Sequence, residues 1–360
     1  FIFLLLKTYF NLFGIKGAFL FFERVFRKIC PVKIYKLLTP KLWLFNIRPP
    51  EVGDFTIIGI FNSTTIFNPS EKYLKKISGN YIKACEKICS HRFDFLGTNE
   101  IYWGKNIRWA SDVQSFHEWG MKHYLEYTPN ELMPGHGIDI KIPWELSRLH
   151  HFVTLAQGWR LTKNSKYSDE LFSQWVDWNN KNPFCYGINW TNTMEVAIRA
   201  INIICAMNIV QGCPGYDRYE IEILNIIRKH GIYIEHNIEI GIINGHISAG
   251  NHFIGNIAGM AIIGMTCQSI PESKRWAING IKGLEYSMRT MVLNDGFFFE
   301  SSTSYHCFSL ELFFYPYIIA SRNGFSFSKE YKNKLQKMLE ILKYLTTPGG
   351  TVPQIGDNDD

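Results

Sequence analysis

From about residue 111 onward, apolar residues return at helical spacing in one segment after another, and short Gly- or Pro-containing stretches separate the segments. That pattern leaves few options for the fold. Pro143 suits a first helical turn, and 144–161 follows with Leu149, Phe152, Val153, Ala156 and Trp159 on one face. The next helix spans 168–180 and stops near Pro183. Asn192 opens another, with Glu195 three residues on as in a capping box, and Met194, Ile198, Ile201 and Cys205 as its buried stripe. Further helices are expected at 216–238, 250–267, 272–292, 304–322 and 328–346. Helices of similar length on short connections read as helical hairpins. No fixed-period repeat is visible, which argues against a solenoid with a strict code. Hairpins can close into a ring, an α/α toroid, or stay an open bundle, and periodicity leaves both open.

Ahead of this region, residues 1–50 read as amphipathic helices closed by Pro49-Pro50, with a helix pair around Gly14 and Gly17. Residues 51–110 are mixed. They hold a strand at 55–61, a helix at 71–90, and an aromatic strand-and-loop stretch at 91–109. The helical domain is expected to run over 111–347. Residues 348–360, opening Pro348-Gly349-Gly350, read as a linker out of it. The chain starts at Phe1 and ends on Asp360, and reads as a fragment of a longer protein.

With 46% hydrophobic and 19% charged residues, the chain can bury a core and is not a disordered sequence. The net charge of +6 is mild and forms no basic stripe, which excludes a typical nucleic-acid binder but suits an anionic ligand. Aromatics at 15% can fill a core or line a carbohydrate cleft. Lys7 and Lys16 interrupt the apolar opening, so no integral membrane span is expected there. The eight cysteines form no CxxC pair and read mostly as small core residues. Neither a metal site nor a cofactor motif is found.

Three segments concentrate polar groups beyond what helix packing requires. Residues 244–252 lead Asn251 and His252 to the start of an apolar helix, where free N–H groups favour an anion. The plainer reading is an N-cap and a core histidine. Residues 294–306 contain the Asp295-Gly296 turn, then Glu300, Tyr305 and His306 entering a helix. There Thr303 or Ser304 could be a simple cap, and Tyr305 and His306 core residues. Residues 187–195 carry Asn189, Trp190 and Glu195, with Arg199 one turn later. A cap and an i, i+4 ion pair account for Glu195 and Arg199. Asn189 and Trp190 are left over, and a loop Trp beside an Asn suits a sugar platform.

The order Trp144-Glu145-Leu146-Ser147-Arg148, Asn189-Trp190, Met194-Glu195 with Arg199, Asn251-His252, Asp295-Gly296 with Glu300, Tyr305-His306 and finally Gly356-Asp357 resembles the heparinase II/III-like family of polysaccharide lyases. The resemblance covers roughly residues 90–360 and lies in the order and spacing of the motifs, none of which is specific alone. It implies a mainly α chain, an incomplete ring of helical hairpins of the α/α toroid type with a small mixed N-terminal segment, and a β-sandwich downstream. It also implies β-elimination on a uronic-acid polysaccharide, a periplasmic or secreted location, and no cofactor. By matching motif, Asn251 and His252 would neutralise the uronate carboxylate. Tyr305 would transfer the proton as acid, with the base role also open to it, and His306 would orient or tune it. Arg148, Asn189, Trp190, Glu195, Arg199 and Glu300 would line or brace the substrate cleft.

Two departures stand out. Some members carry a glutamate three residues after the histidine, where this chain has Gly255. Members also usually place a further catalytic histidine in the β-sandwich, so the fragment could be inactive alone. Two other functions stay open. One is a toroidal glycoside hydrolase pairing Asp295 or Glu195 with Glu300. The other is a non-catalytic glycan-binding toroid.

Overall fold

In a computed structural model, residues 2–29, 71–243 and 246–358 are described, and side chains at 2–4, 28–29, 71–78, 242–243 and 246–248 are left aside. The expected strand at 55–61 lies outside the described residues. Two compact units emerge. A middle unit is built from Val32–His230, and a terminal unit from Phe1–Pro31 together with Gly231–Asp360.

In the middle unit, α2 (Glu71–Cys89) leads to a two-stranded antiparallel ribbon, β1 (Arg92–Phe93) with β2 (Ile101–Tyr102). Short helices α3 (Pro129–Leu132) and α4 (Lys141–Ser147) precede the long α5 (His150–Thr162), α6 (Ser165–Lys181) and α7 (Thr193–Val210). The single helix expected over 144–161 is two helices, because Leu149 adopts a left-handed conformation (φ 61°) between α4 and α5. This position is costly for a branched side chain, and Leu149 is fully buried. Asn192 caps α7 as expected, accepting from the Met194 and Glu195 amides at 3.0 and 3.3 Å. The narrow stripe expected for α7 is instead burial on nearly every face. By length and composition α7 could cross a membrane, yet 89% of its apolar window is buried inside the protein, which makes it a core helix.

Helix α8 (Tyr216–His236) leads into the terminal unit, whose elements are α1 (Ile2–Ile29), the hairpin β3 (Gly241–Ile243) with β4 (His246–Ser248), α9 (Asn251–Thr266), α10 (Ser273–Met291), α11 (Thr303–Arg322) and α12 (Lys329–Leu345). Gly14 breaks α1 with non-helical angles (φ 63°, ψ −148°), giving the expected helix pair. The hairpin was not anticipated, although an Asn-Gly dipeptide between apolar runs is a strong hairpin signal. Helix α9 is the buried axis of this unit and packs closely on α10. A Cβ added at Gly280 would sit 2.6 Å from Ala261 backbone atoms, and one at Gly264 would sit 2.2 Å from the Ala277 nitrogen. Glycine is needed at both positions for the two backbones to meet. All seven described cysteines are free thiols.

Candidate functional site

The Asn251-His252 pair lies where the sequence placed it. Asn251 is the first residue of α9, and Gly250 before it offers no side-chain cap. The helix start is held from outside by Glu300. Its Oε1 accepts the Asn251 backbone N–H at 3.0 Å, and its Oε2 accepts the Asn251 Nδ2–H at 2.7 Å. A carboxylate at a helix N-terminus satisfies an orphan donor and meets the positive end of the dipole. The same grip fixes the Asn251 amide rotamer, because only Nδ2 can donate to a carboxylate. Gly250 leaves room for this approach, since a Cβ there would lie 2.8 Å from Glu300 Oε1.

His252 is half-exposed, and its Nδ1 lies 3.1 Å from Glu239 Oε1. Glu239, in the stretch between α8 and β3, was not foreseen. Position 255 is glycine, so the carboxylate beside His252 comes from thirteen residues upstream instead of three downstream. The available sequence signal was Asn256, an amide at i+4 from His252 in an otherwise apolar helix.

Tyr305 is the third residue of α11, half-buried, and its amide donates to the N-cap Ser302 Oγ at 3.3 Å. The segment read as a linker does not lead away from this helix start. Thr303 Oγ1 donates to the Pro353 carbonyl at 2.8 Å and accepts the Ile355 N–H at 3.0 Å, while Ser304 Oγ donates to Asn358 Oδ1 at 2.9 Å. The tail is therefore docked on the helix start that carries Tyr305. Since Glu300 precedes Tyr305 by five residues, one loop bears both the grip on Asn251 and the helix start of the tyrosine.

His306 takes the plainer of its two readings. It is fully buried, stacked on Phe297 at 4.8 Å between ring centres. Its Nδ1 accepts the Phe298 N–H at 3.2 Å, and its Nε2–H donates to the Met338 carbonyl at 3.1 Å. That pairing requires the neutral ring, and burial pushes its pKa down. It braces the α11–α12 junction beside Tyr305.

The remaining predicted residues belong to the middle unit. Arg148 grips Glu195 in bidentate fashion, Nε to Oε2 at 2.7 Å and Nη2 to Oε1 at 2.9 Å, and also reaches Glu145. The bidentate partner of Glu195 is thus Arg148, forty-seven residues away, and not the Arg199 expected from i, i+4 spacing. Arg199 is fully buried and lies over the rings of Trp178 and Trp190. It donates to His230 Nε2 at 3.0 Å and to the Ser147 and Asn189 carbonyls at 3.2 and 2.8 Å. His230 in turn donates Nδ1–H to the Ile226 carbonyl, and burial together with Arg199 drives its pKa well down. Trp190 is also fully buried, with Phe184 edge-on and Nε1 donating to the Asn182 carbonyl. A sugar platform needs an open ring face, so that expectation is corrected. Asn189 is nearly as buried and donates to Trp109 and Asn182 oxygens, both at 2.8 Å. Among the described residues, no group of three or more His, Cys, Asp or Glu side chains could hold a metal ion.

The chain is 24% identical over 283 residues to the heparin-sulfate lyase of Pedobacter heparinus, covering 76% of this chain and 38% of that protein. It is 25% identical over 242 residues to the heparin-sulfate lyase of Bacteroides stercoris, covering 61% of this chain and 35% of that one. Among solved structures, the heparan sulfate lyase HepC from Pedobacter heparinus superposes with a TM-score of 0.54 at 20% identity, over 96% of this chain and 46% of that one. A heparinase III superposes with a TM-score of 0.55 at 22% identity, over 81% and 44%. The chain thus spans well under half the length of the curated relatives it matches. These likenesses show the mainly helical fold, of the α/α toroid class, expected above. The sequence profile of the Heparinase II/III N-terminus family matches residues 62–360, and the chain belongs to that family.

Proposed function

We propose that the protein is a polysaccharide lyase that cleaves a uronic-acid glycan of the heparan sulfate class by β-elimination. The observation that carries this reading is the Asn251–His252 pair on the first turn of α9, with the Asn251 amide locked by Glu300. The C5 proton of a uronate is weakly acidic. Donors aimed at the neighbouring carboxylate lower the barrier by stabilising the enolate-like charge of the transition state. Asn251 has a second Nδ2–H to offer beyond the one held by Glu300, and His252 donates from Nε2 as the imidazolium, its Nδ1–H held by Glu239. Tyr305, at the start of α11 on the loop that carries Glu300, transfers the proton, a role open to a phenol. The heparin-sulfate lyases among the relatives support the substrate class. A polymeric extracellular substrate fits a periplasmic or secreted enzyme.

The hydrolase reading needs two available carboxylates. Glu300 is committed to Asn251 and Glu195 to Arg148, which favours elimination. The test is the full-length protein, wild type and Tyr305→Phe, on heparan sulfate and other uronate polymers. Elimination makes a conjugated unsaturated uronate that absorbs in the ultraviolet. Absorbance should rise for wild type and vanish in the variant. New reducing ends without absorbance would overturn the proposal.

A further inference from the structure

The carboxylate beside His252 is itself built into the fold. Asn256 is completely buried, yet both ends of its amide are spent on Glu239. Its Oδ1 accepts the Glu239 backbone N–H at 2.7 Å, and its Nδ2 donates to Glu239 Oε2 at 3.0 Å. A buried primary amide in an apolar helix costs free energy unless it is satisfied. Here it grips one residue at two points, main chain and side chain, which leaves that residue little rotational freedom. Glu239 Oε1 is then directed at His252 Nδ1, at 3.1 Å. His252 and Asn256 are one turn apart on α9, so the helix sets the spacing between the grip and the ring it serves.

A carboxylate accepts and does not donate, so this contact requires the proton of neutral His252 to sit on Nδ1. The ring then turns Nε2 away from Glu239. We propose that Glu239, clamped by Asn256, is a positioning residue that fixes the tautomer and orientation of His252, so that the Nε2 lone pair faces the substrate, takes up a proton from solvent as the uronate carboxylate binds, and then donates to that carboxylate. This rests on the reading of His252 as a substrate-contacting group in an elimination enzyme. Neutral imidazole in water prefers the opposite tautomer, so the claim concerns a state that the fold must impose.

The test is nitrogen NMR of the 360-residue chain labelled at histidine, with His252→Gln used to assign the signal. Wild-type His252 should show the Nδ1–H tautomer. Glu239→Gln and Glu239→Ala should both move it toward Nε2–H while the other histidine signals stay in place. An Nε2–H tautomer in wild type would overturn the proposal and requires no variant to fold. So would an Nδ1–H signal that persists in both variants. In the full-length protein assayed on heparan sulfate, Glu239→Gln should lower kcat/KM roughly tenfold to hundredfold. It should cost nothing further when added to His252→Gln. If wild type cleaves no uronate polymer, the elimination reading fails, whereas the tautomer result judges the positioning role separately.

Discussion

Replacing Glu300 with Gln isolates the grip on Asn251 with little change of shape. The carboxylate accepts two hydrogen bonds, from the backbone N–H at 3.0 Å and from Nδ2–H at 2.7 Å. A glutamine has a single acceptor oxygen. Whichever donor it satisfies, its own NH2 then faces the other one. One charge-assisted bond is lost, worth about 1.5–3 kcal/mol. Asn251 is only 9% exposed, so water replaces that bond poorly. A loss near 2 kcal/mol corresponds to about 30-fold in the population holding the productive Asn251 rotamer. If that rotamer stabilises the transition state, kcat/KM on heparan sulfate should fall by a similar factor, and the unfolding free energy by no more than about 2 kcal/mol. The assay is a double-mutant cycle with Asn251→Ala, combining initial rates with urea unfolding. Glu300→Gln should be nearly silent once Asn251 is gone. Activity within twofold of wild type, or effects that simply add, would refute the reasoning.

Three other expectations follow from the packing. Arg148→Ala strips Glu195, whose side chain is 3% exposed, of its bidentate partner. It should cost about 3–5 kcal/mol in urea unfolding, which must be separated from activity per folded molecule. Gly280→Val forces side-chain atoms onto the Ala261 backbone and should lower stability by about 1–3 kcal/mol or more, read as a lower urea midpoint at unchanged slope. His230 is held neutral, with its folded pKa below the unfolded one, so its contribution is present above about pH 6.5 and lost as pH falls below it. His230→Gln, which can still accept from Arg199 and donate to Ile226, should flatten the acid limb of stability against pH.

The helices from α5 onward were legible because apolar residues run at helical spacing over helical lengths between Gly- or Pro-containing breaks, even where, as in α7 and α9, burial extends to nearly every face. Asn192 needs only residues within three positions to cap α7, as expected, whereas α11 is capped by Ser302 one residue before the expected Thr303 or Ser304. Asn251, His252 and Tyr305 were legible for the same reason, as polar residues at helix starts. What stayed hidden was long-range. The partners of Glu195 and His252 lie forty-seven and thirteen residues away, and local spacing names neither partner, Asn256 at i+4 from His252 being the one nearby sign of the second. Local rules gave Glu195 the wrong arginine. Burial of Trp190 was hidden too, because a loop position says nothing about Arg199 and Phe184 closing over its ring. The break at Leu149 ran against residue preference, at a side chain that is fully buried.

Elimination and hydrolysis differ in the fate of water, and that difference tests the central claim most directly. Full-length protein would cleave heparan sulfate in heavy-oxygen water, and the products would be weighed by mass spectrometry. The account predicts an unsaturated uronate at each new non-reducing end and no heavy oxygen at the break. One heavy oxygen per cleaved bond, with saturated ends, would contradict it.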